Sequence, residues 1–239
     1  MSSIILGFLI ASKNFAKNMF ISPIPGGSQT RFGNNRWETF SPKLKRNVVL
    51  YSNLEHDHWA LIECDSKVKT FCEQPLKVQV NTNAGLVTTI FDMWILWKSG
   101  EEEFREIKHE SDVVNSKRAV RQIEAQQLWC QQRGLSHTIA TEREVRGNLV
   151  YLNNCKQIIK YVSTISNKEN NRLVIAVHSL LAKSGSLTIR EVFNSFPRDD
   201  FQEVMASIAM LIYEGAVSSN IVQSSLNKET LLKTNDENR

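Results

Sequence analysis

The sequence lacks the features that would tie it to an oxidising compartment or to a bilayer. Its four cysteines, at 64, 72, 130 and 155, form no C-x-x-C pair, and none stands at ligand spacing from one of the five histidines. Neither a disulfide framework nor a zinc site is expected, and a reducing cytoplasm is. Long apolar runs are missing too. Residues 4–11 have the apolar core of a signal peptide, but not its basic start or small-residue cleavage site, and they are too few to span a membrane. Burial against a domain is the expected use of that stretch. No internal repeat is present. With 41% hydrophobic residues in 239, the chain can build one large core or two smaller ones.

Charge is unevenly spread. The net charge is only +4, compatible with nucleic acid without requiring it. Yet residues 1–55 hold seven Lys or Arg against two acids, while residues 199–227 hold Asp199, Asp200, Glu203 and Glu214 and no Lys or Arg. A basic end and an acidic segment in one chain point to two different partners.

What is present centres on a hairpin. Residues 89–97, Thr-Ile-Phe-Asp-Met-Trp-Ile-Leu-Trp, are β-branched and aromatic, Ser99-Gly100 supplies a turn, and residues 104–109 read as the partner strand. Alternation places Glu106 and Lys108 on one face. Asp92 falls inside the apolar strand, where an unpaired carboxylate is costly to bury. An Asp followed by Glu-x-Lys in the next strand is the arrangement of metal-dependent nucleases, in which carboxylates hold a hard divalent cation and the lysine faces water or phosphate. The same spacing also fits a solvated strand with a cross-strand charge pair. The apolar neighbours of Asp92 favour the first reading.

Residues 22–47, rich in Pro, Gly and Asn, read as a loop or extended arm. Arg36, Lys43, Lys45 and Arg46, interleaved with Trp37 and Phe40, suit either a DNA backbone or a solvated leader. Ser52 and Glu55 form a capping-box pattern for a helix to Cys64. Glu55 flanks the stripe of Leu54, His58, Leu61 and Ile62, so it is either a cap or a carboxylate for a second metal. Strands are expected at 68–71 and 76–80, joined by a turn at Pro75, then a helix at 114–133 and a strand at 135–140. Lys117, Arg118 and Arg121 open that helix as further DNA-binding candidates. Residues 142–170 read as a helical linker. Helices at 172–183, 187–196 and 199–214 with a strand at 216–222 follow a winged-helix pattern. The third helix begins Asp-Asp, a poor start for reading a DNA groove and a better one for docking a protein through Phe201 and Met205. The expected organisation is an α/β restriction-endonuclease-like nuclease core followed by a small α+β winged-helix-like C-terminal domain: arm 1–47, catalytic domain 48–165, C-terminal domain 170–239. A chain ending before residue 172 is expected to keep a folded nuclease.

Taken in order, Ser52-Asn-Leu-Glu55, Val68 with Glu73-Gln-Pro75, Asp92, Glu106-Ile-Lys108 and Thr141-Glu-Arg-Glu-Val145 resemble the TnsA family, the endonuclease subunits of heteromeric cut-and-paste transposases. The resemblance implies a bacterial cytoplasmic DNA endonuclease that cuts the 5′ transposon ends. It would work with a TnsB-like DDE transposase and a TnsC-like AAA+ ATPase. It implies Mg²⁺, two ions with Mn²⁺ as substitute, and catalytic roles for Glu55, Asp92, Glu106 and Lys108, with the Ile107 carbonyl as a further metal ligand. In this sequence Phe91 stands where the family often has a proline before the aspartate. Outside that resemblance, a stand-alone restriction or junction-resolving nuclease would need the same residues, and a non-catalytic scaffold for the ATPase would need none of them.

Overall fold

The computed structural model describes residues 20, 22–24, 35–83, 85–165 and 172–235. The apolar stretch at 4–11 and most of the Gly-rich part of the arm lie outside these residues. Contacts divide the chain into two units. One comprises residues 1–37, 49–55 and 68–142, the other 38–48, 56–67 and 143–239.

The first unit is built on a four-stranded sheet of β3 (Val68–Glu73), β6 (Met93–Trp97), β7 (Glu102–Ile107) and β8 (Ser136–Ala140), in that order. β6 pairs antiparallel with β3 and β7, while β7 and β8 run parallel. A parallel pair needs a long crossover, and here it contains α2 (Glu110–Asn115) and α3 (Lys117–Gln131). Ser116 caps α3 by accepting a hydrogen bond from the Ala119 amide. Gly134, just past its end, has φ +64°, a conformation that costs glycine little. Phe91, Trp94, Phe104 and Trp129 form the centre of the core, with Phe91–Phe104 ring centroids 4.6 Å apart.

A separate ribbon, β4 (Lys77–Thr82) with β5 (Gly85–Ile90), leaves this sheet. The single strand expected over 89–97 is therefore two strands, and Asp92 sits in the bend between them rather than inside one. Both neighbouring strands change sheet at this level. Gln74 takes φ +44° before Pro75, its N–H bonds to the Asp92 carbonyl at 2.9 Å, and the Phe91 N–H bonds to Leu76 O at 3.2 Å. A proline at 91 could not make that last bond. Here the chain uses a buried aromatic and an intact N–H instead.

Part of the arm is also regular: β1 (Trp37–Ser41) and β2 (Arg46–Leu50) form a hairpin. α1 (Asn53–Cys64) follows, as expected from Ser52.

In the second unit, α4 (Glu142–Val145) leads into α5 (Leu149–Ile165). The stretch read as a helical linker is helical as expected, but its 17-residue helix buries Leu152, Cys155, Ile158, Ile159, Val162 and Ile165. The 3- and 4-residue spacing of these apolar side chains gives the helix one core-facing stripe. It packs on α8 (Phe201–Glu214). Around it stand α6 (Arg172–Ser184), α7 (Ile189–Ser195) and a three-stranded sheet ordered β10 (Val217–Ser219), β11 (Leu231–Thr234), β9 (Ser186–Thr188). The strand expected at 216–222 stops at Ser219, and β11, drawn from a polar tail, completes the sheet. Glu63, fully buried, accepts from Ser41 Oγ (2.6 Å), Lys43 N (2.9 Å) and Tyr213 OH (2.6 Å).

Candidate active site

Asp92, Glu106 and Lys108 come together in the first unit. Alternation along β7 puts Glu106 and, one step past the strand, Lys108 on one face, and the bend brings Asp92 to them. Lys108 Nζ lies 2.6 Å from Glu106 Oε1 and 4.0 Å from Asp92 Oδ2. The Ile107 N–H donates to Asp92 Oδ2 at 2.8 Å. That bond explains how a carboxylate settles in apolar surroundings: it occupies a backbone donor that would otherwise be unpaired. A bend frees the side chain from the pleat, so it can reach back to the main chain of the next strand.

Glu55 stands in the first turn of α1. Its own N–H donates to Ser52 Oγ at 3.0 Å, the cap expected, and its carboxylate accepts from the Tyr51 N–H at 3.0 Å and bonds the Ser52 side chain. The Glu55 charge also interacts with Asp92 and Lys108.

All three carboxyls are pushed toward protonation. Burial, then the Asp92 charge, raises Glu55 to about 7 and Glu106 to about 8. Burial also raises Asp92, against the pull of Lys108 and the Ile107 N–H. For Lys108, burial works against the ammonium, yet Asp92 and Glu106 outweigh it and hold it above the ordinary lysine range. Three crowded carboxyls thus share one cation of the protein's own.

A divalent ion would correct that imbalance. Among the described residues no group of three Asp, Glu, His or Cys side chains could hold a metal. Glu55, Asp92 and Glu106 are thus not gathered into such a group. Magnesium needs less, because it binds through one or two carboxylates and keeps its remaining positions for water and phosphate. Asp92 and Glu106 with the neighbouring Ile107 carbonyl have the hard-oxygen chemistry for one such ion, so the donor set fits.

The raised carboxyls have a consequence for stability. Between about pH 4.5 and 8 the folded protein holds protons on Glu55 and Glu106 that the unfolded chain has lost, so stability falls as pH rises through that window. In EDTA, thermal melting should drop by several degrees from pH 5 to pH 8, on the order of a few kcal/mol. Saturating Mg²⁺ should flatten the slope. A melting temperature that rises over the same range would show that the carboxyls are not buried together.

Sequence reasoning missed the residues that hold Glu106. Gln122 and Gln126, from α3, donate to its two oxygens, each at 2.7 Å. The available signal was Gln126 itself, a polar residue at 0% exposure on the stripe of Ala119, Ile123 and Cys130.

The expected DNA-binding residues differ in their exposure. Arg36, Lys45, Lys117, Arg118 and Arg121 are exposed, and Arg46 is half-buried. Lys43 is engaged inside the second unit, where its ammonium donates to Asp65 O (3.1 Å) and lies 5.0 Å from the Tyr213 ring centroid. Of the expected docking residues, Phe201 is 45% exposed and stacks on Phe193 at 4.4 Å, but Met205 is buried. Asp200 is the N-cap of α8, and Asp199 pairs with Arg172 at 3.3 Å, so the acidic start of that helix is partly compensated.

Among the described residues no helix is long and apolar enough to cross a membrane. No curated protein matches the chain. Residues 65–142, which carry Asp92, Glu106 and Lys108 and leave Glu55 just outside, match the family described as TnsA-like endonuclease N terminal.

Proposed function

We propose that this chain is a divalent-metal-dependent DNA endonuclease subunit of a cut-and-paste transposase, cleaving the strand at the 5′ transposon ends. The observation that carries the reading is the meeting of Asp92, Glu106 and Lys108 inside the stretch that matches a TnsA-like endonuclease domain. Bound Mg²⁺, or Mn²⁺ in its place, would lower the pKa of the attacking water and draw charge off the scissile phosphate. Asp92 and Glu106 would hold the ion, with the Ile107 carbonyl as a further ligand. The Lys108 ammonium, kept charged by both carboxylates, orients the water or stabilises charge on phosphorus. Glu55, whose charge is felt at Asp92, would help hold a second ion or orient its water shell. In-line attack with the 3′ oxygen leaving yields a 3′-hydroxyl and a 5′-phosphate.

In this reading the first unit is a restriction-endonuclease-like core, and α6, β9, α7, α8, β10 and β11 form a winged-helix-like module. Arg36, Lys45, Arg46, Lys117, Arg118 and Arg121 supply phosphate contacts, whereas Phe201 serves a protein partner. The partners are a TnsB-like DDE transposase, which processes the 3′ ends, and a TnsC-like AAA+ ATPase. The direct test is cleavage of a plasmid bearing the element's ends in the presence of those two proteins. Mg²⁺-dependent breaks at the 5′ ends are expected, and intact 5′ ends despite 3′ processing would rule the assignment out.

Glu55→Gln separates cap from catalytic group, because glutamine can still accept from the Tyr51 N–H but carries no charge. We expect cleavage to fall by about two orders of magnitude, a loss of roughly 3 kcal/mol from the transition state. Wild-type rates at saturating Mg²⁺ would make Glu55 a cap only.

A further inference from the structure

Glu106 is completely buried, and its carboxylate meets three donors: Lys108 and Gln122 on Oε1, Gln126 on Oε2. A carboxylate offers about four lone-pair positions, and beside these three donors Glu106 shares a side-chain hydrogen bond with Asp92, the one bond that a cation held between the two carboxyls would replace.

Gln126 is the less expected of the two amides. It is fully buried at a helix position whose neighbours on the same face, Ala119, Ile123 and Cys130, are apolar. Packing alone would be served by another apolar residue, without a polar group to desolvate. Its orientation is fixed by chemistry. Nε2 is within reach of three acceptors, Glu106 Oε2 (2.7 Å), Thr89 Oγ1 (3.1 Å) and Ile90 O (3.2 Å), while Oε1 lies 3.1 Å from His137 Nε2. Turned the other way, the amide oxygen would face a carboxylate and a carbonyl. His137 must then carry its proton on Nε2. A chain of donors runs from β8 through α3 to the carboxylate on β7.

We propose that Gln126, together with Gln122, is a positioning residue that holds the Glu106 carboxylate in one orientation and leaves it one bond to give to a divalent cation. The proposal rests on the metal-site reading above. The two amides clamp opposite oxygens, so the carboxylate cannot rotate to satisfy itself elsewhere. Such partners of a ligand commonly account for 10- to 100-fold in metal affinity.

The test is Mn²⁺ binding to the full-length protein without DNA, followed by water-proton relaxation, for wild type, Gln126→Met and Gln122→Met. Methionine keeps the side-chain length and removes the donor. Each variant should bind Mn²⁺ about 10- to 100-fold more weakly at unchanged stoichiometry, with a wild-type circular dichroism spectrum in EDTA. Misfolding would instead lower the number of sites. Gln122 is half-buried, so its variant carries the test if Gln126→Met fails to fold. A folded variant that binds Mn²⁺ as tightly as wild type overturns the positioning role. A folded wild type that binds no Mn²⁺ overturns the metal-site reading, and the positioning role with it.

Discussion

Asp92→Asn is expected to abolish 5′-end cleavage, by about 1,000-fold or more, which corresponds to roughly 4 kcal/mol of lost transition-state stabilisation. Asparagine is the informative replacement because of the bond at 2.8 Å from the Ile107 N–H. Its amide oxygen can accept that bond, whereas alanine would leave the donor unpaired at a cost of about 1–3 kcal/mol. The variant also removes one of three mutually repelling carboxyls. In EDTA at pH 8 it should therefore melt at or above the wild-type temperature while cutting nothing. Residual cleavage at the wild-type rate, or a collapsed fold, would show that Asp92 is there for structure.

A chain ending at residue 171 should not fold into a stable nuclease. Taken from the sequence, residues 142–170 are a helical linker and the truncation leaves a folded nuclease, but α5 buries its apolar stripe against α8. Removing α8 uncovers Leu152, Ile158, Ile159 and Val162, at about 1.5–3 kcal/mol for each large side chain. It also takes the Tyr213 hydroxyl from the fully buried Glu63. The sum is comparable to the whole stability of a typical domain, about 5–15 kcal/mol. The expected product is insoluble, or binds a hydrophobic dye and melts without a sharp transition. A soluble monomer of residues 1–171 with cooperative unfolding would refute this.

What could be read from the residues depended on how local the cause was. Asp92, Glu106 and Lys108 stood out because charged groups interrupt apolar runs, and their convergence follows from strand alternation. The bend at Asp92 could not be read, since it depends on Gln74 and Leu76, distant in sequence, leaving the same sheet at the same level. Helix α5 was legible as a helix but not as a packed one, because Asn153, Asn154, Lys156, Gln157 and Lys160 dilute its stripe in a linear reading. The third strand of the second sheet comes from a polar tail whose pairing with Ser186–Thr188 has no local signature. Met205 looked available on a helix that begins with acids, yet its place five residues in turns it to the core.

The bend also separates two kinds of sequence freedom. The position of Asp92 is measured from Met93, which pairs with Arg105 in β7, and from the backbone bond to Gln74. The outer ribbon keeps its own register, from Lys77 opposite Ile90 to Thr82 opposite Gly85. Residues can be added to or removed from the ribbon's far end in pairs without changing which way Asp92 faces. One residue gained or lost between Met93 and Arg105 would put the carboxylate on the wrong side of the sheet. The ribbon's far end, beyond the buried Val78 and Val80, is thus free to diverge between relatives, and is the natural place to graft a tag or a recognition loop, while the short hairpin beneath it has a fixed length.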